Sequence, residues 1–305
     1  MFARVGTACM PGGLMSNPGS KPVVAGVDGS SSAIHAVRWA AAEARRRNTY
    51  LRLVFADVFS MVFIPDMPAV ALPEPYTTAV RRQAERWLEQ AKDVAEAAMD
   101  GLAVRTEVHV GQAATVLIRQ SLEAQLVVVG SRGLGALTGL IVGSVAVALS
   151  AHGHCPVAVI PGPETALPDA PAVVGVDGSS AGEKALTTAF ESASRRGVVL
   201  RAVHTWHSVS GDKAWWTEGD WETAQTDEER WLAEQLAGWC AKYPEVEVRR
   251  YVSYDRPARA LLEHAQHAQI VVVGARGRGG FTGLLLGSTS QQLLHHSPCP
   301  VVVAR

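Results

Sequence analysis

The chain says the same thing twice, and this constrains its fold more than any other feature. Residues 23–30 read VVAGVDGS and residues 173–179 read VVGVDGS, which sets Asp28 over Asp177 at an offset of 149. LVVVGSRG at 126–133 matches IVVVGARG at 270–277 at an offset of 144. ERWL (85–88 and 229–232) and CPV (155–157 and 299–301) keep that second offset, so the first copy carries five extra residues before Trp87. Phe55 and His204 still align at 149, which puts the insertion between the second strand and the second helix. An insertion there is tolerated when the connection is a surface loop. With 305 residues, two domains of ordinary size fit, each large enough to bury a core without disulfides or metals.

Within each copy the hydrophobic period alternates. Residues 23–27 form a short buried-strand run that ends in Asp28-Gly-Ser-Ser, a helix-capping sequence. Ala33, Val37, Ala40, Ala41 and Ala44 then recur at helical spacing. A second strand is expected over 51–58 and a long amphipathic helix over 79–98, with Trp87 on its apolar side. Val104, Thr106, Val108 and Val110 alternate as a third strand. A helix near 113–123, a buried strand at 126–129, a helix near 143–151 and a last strand at 157–160 complete the unit. Strands separated by helices imply a parallel sheet with right-handed crossovers and helices on both faces. The expected domains are 21–161 and 172–305, joined by the proline-rich segment 162–171, with residues 1–20 as a flexible tail. Met10 or Met15 is an alternative start within that tail.

Composition removes several functions. A chain 48% hydrophobic and 19% charged reads as soluble and globular, and a net charge of −1 offers no footprint for nucleic acid or an acidic membrane. The longest apolar run, 140–149, is too short to span a bilayer, and the first twenty residues lack a signal-peptide core. Cys9, Cys155, Cys240 and Cys299 have no CxxC spacing, so free thiols in a cytoplasmic protein are expected. His152-Gly-His154-Cys155 suggests a metal cluster, but His295-His296 and Cys299 break its spacing in the other copy, favouring structural cysteines and no metal site. No GxSxG elbow or paired arrangement suggests a hydrolytic triad. Trp215, Trp216 and Trp221 read as a lid, a partner surface or ordinary loop packing, and Trp87 and Trp231 as core residues.

In an open parallel sheet, ligands sit outside the carboxyl ends of the strands where the strand order reverses. Two strand ends here carry unusual chemistry. The first ends in Gly26-Val27-Asp28, and the fourth in Gly130-Ser131-Arg132-Gly133, followed after nine residues by Gly143-Ser144 at a helix start. The second copy repeats this with Gly274-Ala275-Arg276-Gly277, nine residues, then Gly287-Ser288. Glycines let backbone N–H groups approach phosphate oxygens, and the Gly-Ser pair sets free amides, a hydroxyl and a positive helix end against an anion. Asp28 and Asp177 can accept bonds from ribose hydroxyls or hold a Mg²⁺ ion. Neither GxxxxGK[ST] nor GxGxxG is present.

On these residues the chain resembles the universal stress protein family in its tandem form, over nearly all of residues 21–305. The ATP-binding branch of that family is marked by Gly-x2-Gly-x9-Gly-[Ser/Thr], here Gly130, Gly133, Gly143, Ser144 and again Gly274, Gly277, Gly287, Ser288. The resemblance implies two flavodoxin-like or Rossmann-like α/β domains, each a five-stranded parallel sheet of order 3-2-1-4-5. Adenine is expected near the end of the second strand, at Ala56 and Thr205. The implied ATP site, with Mg²⁺, comprises Gly26, Asp28, Ala56, Gly130, Ser131, Arg132, Gly133, Leu134, Gly135, Ala136, Gly143, Ser144 and Val145 in the first half. In the second half it comprises Gly175, Asp177, Thr205, Gly274, Ala275, Arg276, Gly277, Arg278, Gly279, Gly280, Gly287, Ser288 and Thr289. Last strands pair in this family, so residues 157–160 should lie against 301–304 in an internal pseudo-dimer, and the whole chain is expected to form a homodimer. The position before the fourth strand, often Asp in the family, is Gln125 and Gln269, read as a loop adjustment. The expectation is an ATP-binding stress regulator with little or no turnover. A slow ATPase, a nucleotidyl- or phosphoryl-transferring enzyme, and a scaffold for another adenine nucleotide such as cAMP are the alternatives.

Overall fold

Strand cores such as Val23-Val24-Ala25 and Leu126–Val129 are apolar on both faces, so each strand must be covered by helices above and below. The computed structural model, which describes residues 20–58, 74–133, 142–163, 166–206, 218–278 and 285–305, meets this requirement. The first half runs β1 (Val23–Val27), α1 (Ser31–Arg46), β2 (Leu51–Asp57), α2 (Glu74–Ala98), β3 (Val104–Val110), α3 (Ala113–Gln120), β4 (Leu126–Gly130), α4 (Ser144–His152) and β5 (Val157–Ile160). The second runs β6 (Ala172–Gly175), α5 (Ser180–Arg196), β7 (Leu200–Trp206), α6 (Glu218–Lys242), β8 (Val248–Tyr254), α7 (Pro257–Ala265), β9 (Ile270–Gly274), α8 (Ser288–His296) and β10 (Val301–Ala304).

Each half has the expected strand order, and the expected pairing of the last strands joins the two sheets. They merge into one ten-stranded sheet of order β3-β2-β1-β4-β5-β10-β9-β6-β7-β8. Pairs within each half are parallel, and the seam β5–β10 is antiparallel, with Val157 opposite Val303, Ala158 opposite Val302 and Val159 opposite Val301. One core layer lies under α1, α2, α5 and α6, the other under α3, α4, α7 and α8, and both continue across the seam. The linkage is polar as well. Buried Glu43 of α1 accepts from Arg196 Nη2 of α5 at 2.8 Å and from its own neighbour Arg47 at 3.0 Å. Arg196 also lies over the Trp39 ring at 5.5 Å and donates to Gln269 at 3.1 Å. Gln269 and Gln125 stand at the amino ends of β9 and β4, where Gln269 binds the Pro168 carbonyl and Gln125 that of Lys21. Both therefore brace the entry to a strand, at the opposite end from the glycine motif.

Several boundaries differ from the sequence reading. Helix α2 begins at Glu74, five residues before its apolar period starts, because an acidic residue and a proline are residue types that suit a first helical turn. The expected alternation of β3 does not bury all its valines. Val108 is 43% and Val110 56% exposed, since β3 is the sheet edge and little packs beyond it. The five-residue difference between the copies falls in the β2–α2 connection of 58–73 against the β7–α6 connection of 207–217. Cys155 and Cys299 are buried at strand entries, where loss of solvation pushes their thiols up to about 12 and about 11. Among the described residues no helix is long and apolar enough to cross a membrane, and no three His, Cys, Asp or Glu side chains gather as metal ligands.

Candidate functional site

Strand order reverses between β1 and β4, whose neighbours lie on opposite sides, and a crevice opens at their carboxyl ends. Its volume is about 390 Å³, within the range of small-molecule sites. Gly26, Asp28, Ala56, Gly130, Arg132, Gly133, Gly143, Ser144 and Val145 all line it, so most of the residues expected in the first half converge. Val54, Ala113, Leu117 and Val142 supply apolar walls that the sequence reading missed. Ala113 and Leu117, four apart on α3, share one helix face, and that spacing was the available signal. Leu134, Gly135, Ala136, Gly279 and Gly280 lie outside the described residues.

Ser131 does not reach the crevice. It is 5% exposed, its hydroxyl donates to the Pro161 carbonyl at 3.3 Å, and its own carbonyl accepts the Gly143 amide at 2.7 Å. Ala275 likewise is buried, and its carbonyl accepts the Gly287 amide at 2.8 Å. These two residues tie the glycine loop to the following helix.

The glycines fall into two kinds. Gly130 and Gly274 are required by the fold, because a Cβ at Gly130 would lie 2.7 Å from the Ser32 carbonyl carbon, and one at Gly274 2.7 Å from that of Ala181. Gly29 and Gly178 have φ of +86° and +69° and face Trp87 and Trp231 respectively. Both tryptophans therefore floor the Asp-Gly turns beside the site, a closer role than core filling. Gly143 and Gly287 differ. Their φ values, −75° and −73°, suit any residue, and a Cβ would make ordinary contacts, no closer than 3.6 Å and 3.4 Å. Nothing among the described residues requires glycine there. Both are N-caps with no side-chain cap bond, so the first amides of α4 and α8 remain available to an anion. By contrast, α1 and α5 are capped by Ser30 and Ser179.

Asp28 and Asp177 stand where β1 and β6 give way to these turns. Asp28 Oδ1 accepts the Ser30 amide at 2.9 Å. Asp177 Oδ1 accepts the Ser179 amide at 3.0 Å and hydroxyl at 2.7 Å, while its Oδ2 faces the Arg278 amide at 3.2 Å. A Cβ on Gly133 or Gly277 would lie 2.6 Å from the Oδ2 of Asp28 or Asp177, so those glycines leave the carboxylate room beside the loop. A carboxylate is the type of group that takes a ribose hydroxyl or a divalent cation.

The aromatic residues of the second half are arranged differently from the first. Trp231 is 4.4 Å from His204 and 4.9 Å from the Arg278 guanidinium. The first-half equivalents of His204 and Trp231 are Phe55 and Trp87, at 5.8 Å. Trp221 packs on Trp206 and Tyr254 of its own domain, each at 5.0 Å, and Trp215 and Trp216 lie outside the described residues.

Fold and site together define a tandem α/β protein whose halves are joined through their last strands, with a glycine loop and an uncapped helix at each switch point. The universal stress protein family matches residues 19–161 and 171–305. The chain belongs to that family. It is 41% identical to universal stress protein Rv1996 of Mycobacterium tuberculosis, over 93% of this chain and 94% of that protein. It is 40% identical to universal stress protein Rv2623 of the same organism, over 96% and 99%. A universal stress protein of Archaeoglobus fulgidus shares the fold with a TM-score of 0.68 at 20% identity, covering 94% of this chain and 99% of that one.

Proposed function

We propose that the chain is an ATP-binding regulator of the stress response, holding one nucleotide in each half with Mg²⁺ and turning it over little or not at all. The observation that carries this reading is the pair Gly143 and Gly287. Among the described residues nothing gives a reason for glycine at either position, yet both precede uncapped helix amides, and Gly143 lines the crevice. A phosphate chain passing over them supplies the reason, because it needs both the missing side chain and the free amides. Around it, Gly130 and Gly133 bring backbone to the phosphates, and Ala56, Val54, Ala113 and Leu117 form an apolar slot suited to the base. Asp28 takes the ribose or the metal ion. When bound, Mg²⁺ would neutralise phosphate charge and fix the bend of the chain.

The regulatory role rests on the lining. Asp28 is the one carboxylate among the described residues that line the crevice, and it already accepts the Ser30 amide. A carboxylate held in that way is a positioning group more than a base for attacking water. Nucleotide occupancy would then favour whichever conformation or partner complex holds it best. Purified protein, denatured and its supernatant resolved by chromatography, should release adenosine triphosphate. Release of a different nucleotide, or turnover well above about 1 s⁻¹, would overturn the reading.

A further inference from the structure

The two halves are not copies at one position next to the phosphate loop. Arg278 immediately follows Gly277, where the corresponding first-half residue by sequence is Leu134. Its amide donates to Asp177 Oδ2 at 3.2 Å, which anchors the residue at the mouth of the second site. Its guanidinium lies over Trp231 at 4.9 Å and against Gly178. Among the described residues no carboxylate pairs with that guanidinium. The charge therefore rests on the face of an indole. The indole also packs against His204, whose ring lies 2.8 Å from the Val176 carbonyl and 3.0 Å from Glu228. An exposed cation on an aromatic face is weakly held, whereas charge-assisted bonds to phosphate oxygens are strong.

We propose that Arg278 reads phosphate-chain length at the second site, leaving Trp231 for the outer phosphates when a triphosphate binds. This rests on the nucleotide reading above. The inner part of the chain is met by Gly277 and by the amides of Ser288 and Thr289, which a monophosphate also reaches. Arg278 adds a cation that only a longer chain can satisfy, so the second site discriminates triphosphate from monophosphate more sharply than the first. Trp231 loses its cation on triphosphate binding and reports the event.

The test uses the full chain carrying Gly143→Glu, which leaves the second site to be measured alone, with and without Arg278→Leu. Titration with Mg²⁺–ATP and with AMP is followed by calorimetry and by tryptophan emission, with Trp231→Phe as the assignment control. Arg278→Leu should weaken ATP binding about 10- to 100-fold, the scale of one charged hydrogen bond, and leave AMP within about twofold. ATP should change the Trp231 emission more than AMP does, and that difference should vanish in Arg278→Leu. Equal losses for ATP and AMP, or no loss for either, would sink the proposal while sparing the nucleotide reading. A folded Gly143→Glu chain that binds neither nucleotide would overturn both. If Gly143→Glu does not fold, Arg278→Leu in the otherwise unaltered chain should weaken ATP at one site of two, and loss at both sites or neither counts against the proposal.

Discussion

Glu43 offers the sharpest test of how the two halves are held together. It is 2% exposed, and its carboxylate faces Arg196 of the other half at 2.8 Å, with Arg47 at 3.0 Å and Arg46 at 3.5 Å. Glu43→Gln keeps the shape and removes the buried negative charge that Arg196 and Arg47 face at 2.8 Å and 3.0 Å. Breaking a buried pair in this way costs about 3–5 kcal/mol. An unfolding entropy of about 2.1 cal/mol/K per residue over a sheet that melts as one unit gives roughly 0.6 kcal/mol per degree, so Tm should fall by about 5–8 °C. Burial on its own would raise the Glu43 pKa, but the charges of Arg196, Arg47 and Arg46 outweigh it and hold the carboxyl below its ordinary value. A depressed folded-state pKa contributes stability above the unfolded value, near 4.3, that is lost as pH falls through the folded value. The gap between the wild type and Glu43→Gln should therefore be full at pH 7, begin to narrow near the unfolded value and close as pH falls through the lower folded value. Scanning calorimetry across that range decides it. A Tm difference under about 2 °C at pH 7, or one that widens on acidification, would refute the argument.

Other consequences are as direct. Gly29→Ala puts a methyl group into the Trp87 ring at φ +86°, so it should cost about 1–3 kcal/mol in chemical unfolding and weaken only the first nucleotide site. Residues 1–160 expressed alone should self-associate in sedimentation, because β5 loses β10 and its edge opens; a stable soluble monomer would contradict the seam. Alkylation at pH 8 followed by mass spectrometry should label half-buried Cys240 well before Cys155 and Cys299, whose thiols are buried and pushed up to about 12 and about 11.

Much of this organisation was legible because the repeat and the alternation of periods are local signals. The offsets of 149 and 144 located the longer connection at 58–73, and the GVDGS and VVVG runs marked the strand ends that build the crevice. The long-range contacts were less visible. The Glu43–Arg196 pair joins residues 153 positions apart. Yet Glu43 does fall seven after Ala36 and three after Ala40, a charged residue at core spacing, and such a residue demands a partner. Ser131 and Ala275 looked like ligand contacts because they sit between motif glycines, but a strand end alternates its faces and turns them toward the neighbouring loop. Trp87 and Trp231 satisfied the helical period, and that pattern cannot distinguish a core position from one facing a glycine turn. The seam between β5 and β10 came from family resemblance alone, since two short valine-rich strands carry no pairing code of their own.

The central claim is that each half holds one nucleotide over a glycine that none of the described residues requires. Calorimetric titration with Mg²⁺–ATP of the wild type, Gly143→Glu, Gly287→Glu and the double variant measures it most directly. Glutamate is tolerated near a helix start and places bulk and negative charge where phosphate would lie. The account predicts about two, one, one and no ATP per chain, with cooperative melting retained throughout. A folded double variant that still binds two nucleotides would show that ATP sits elsewhere.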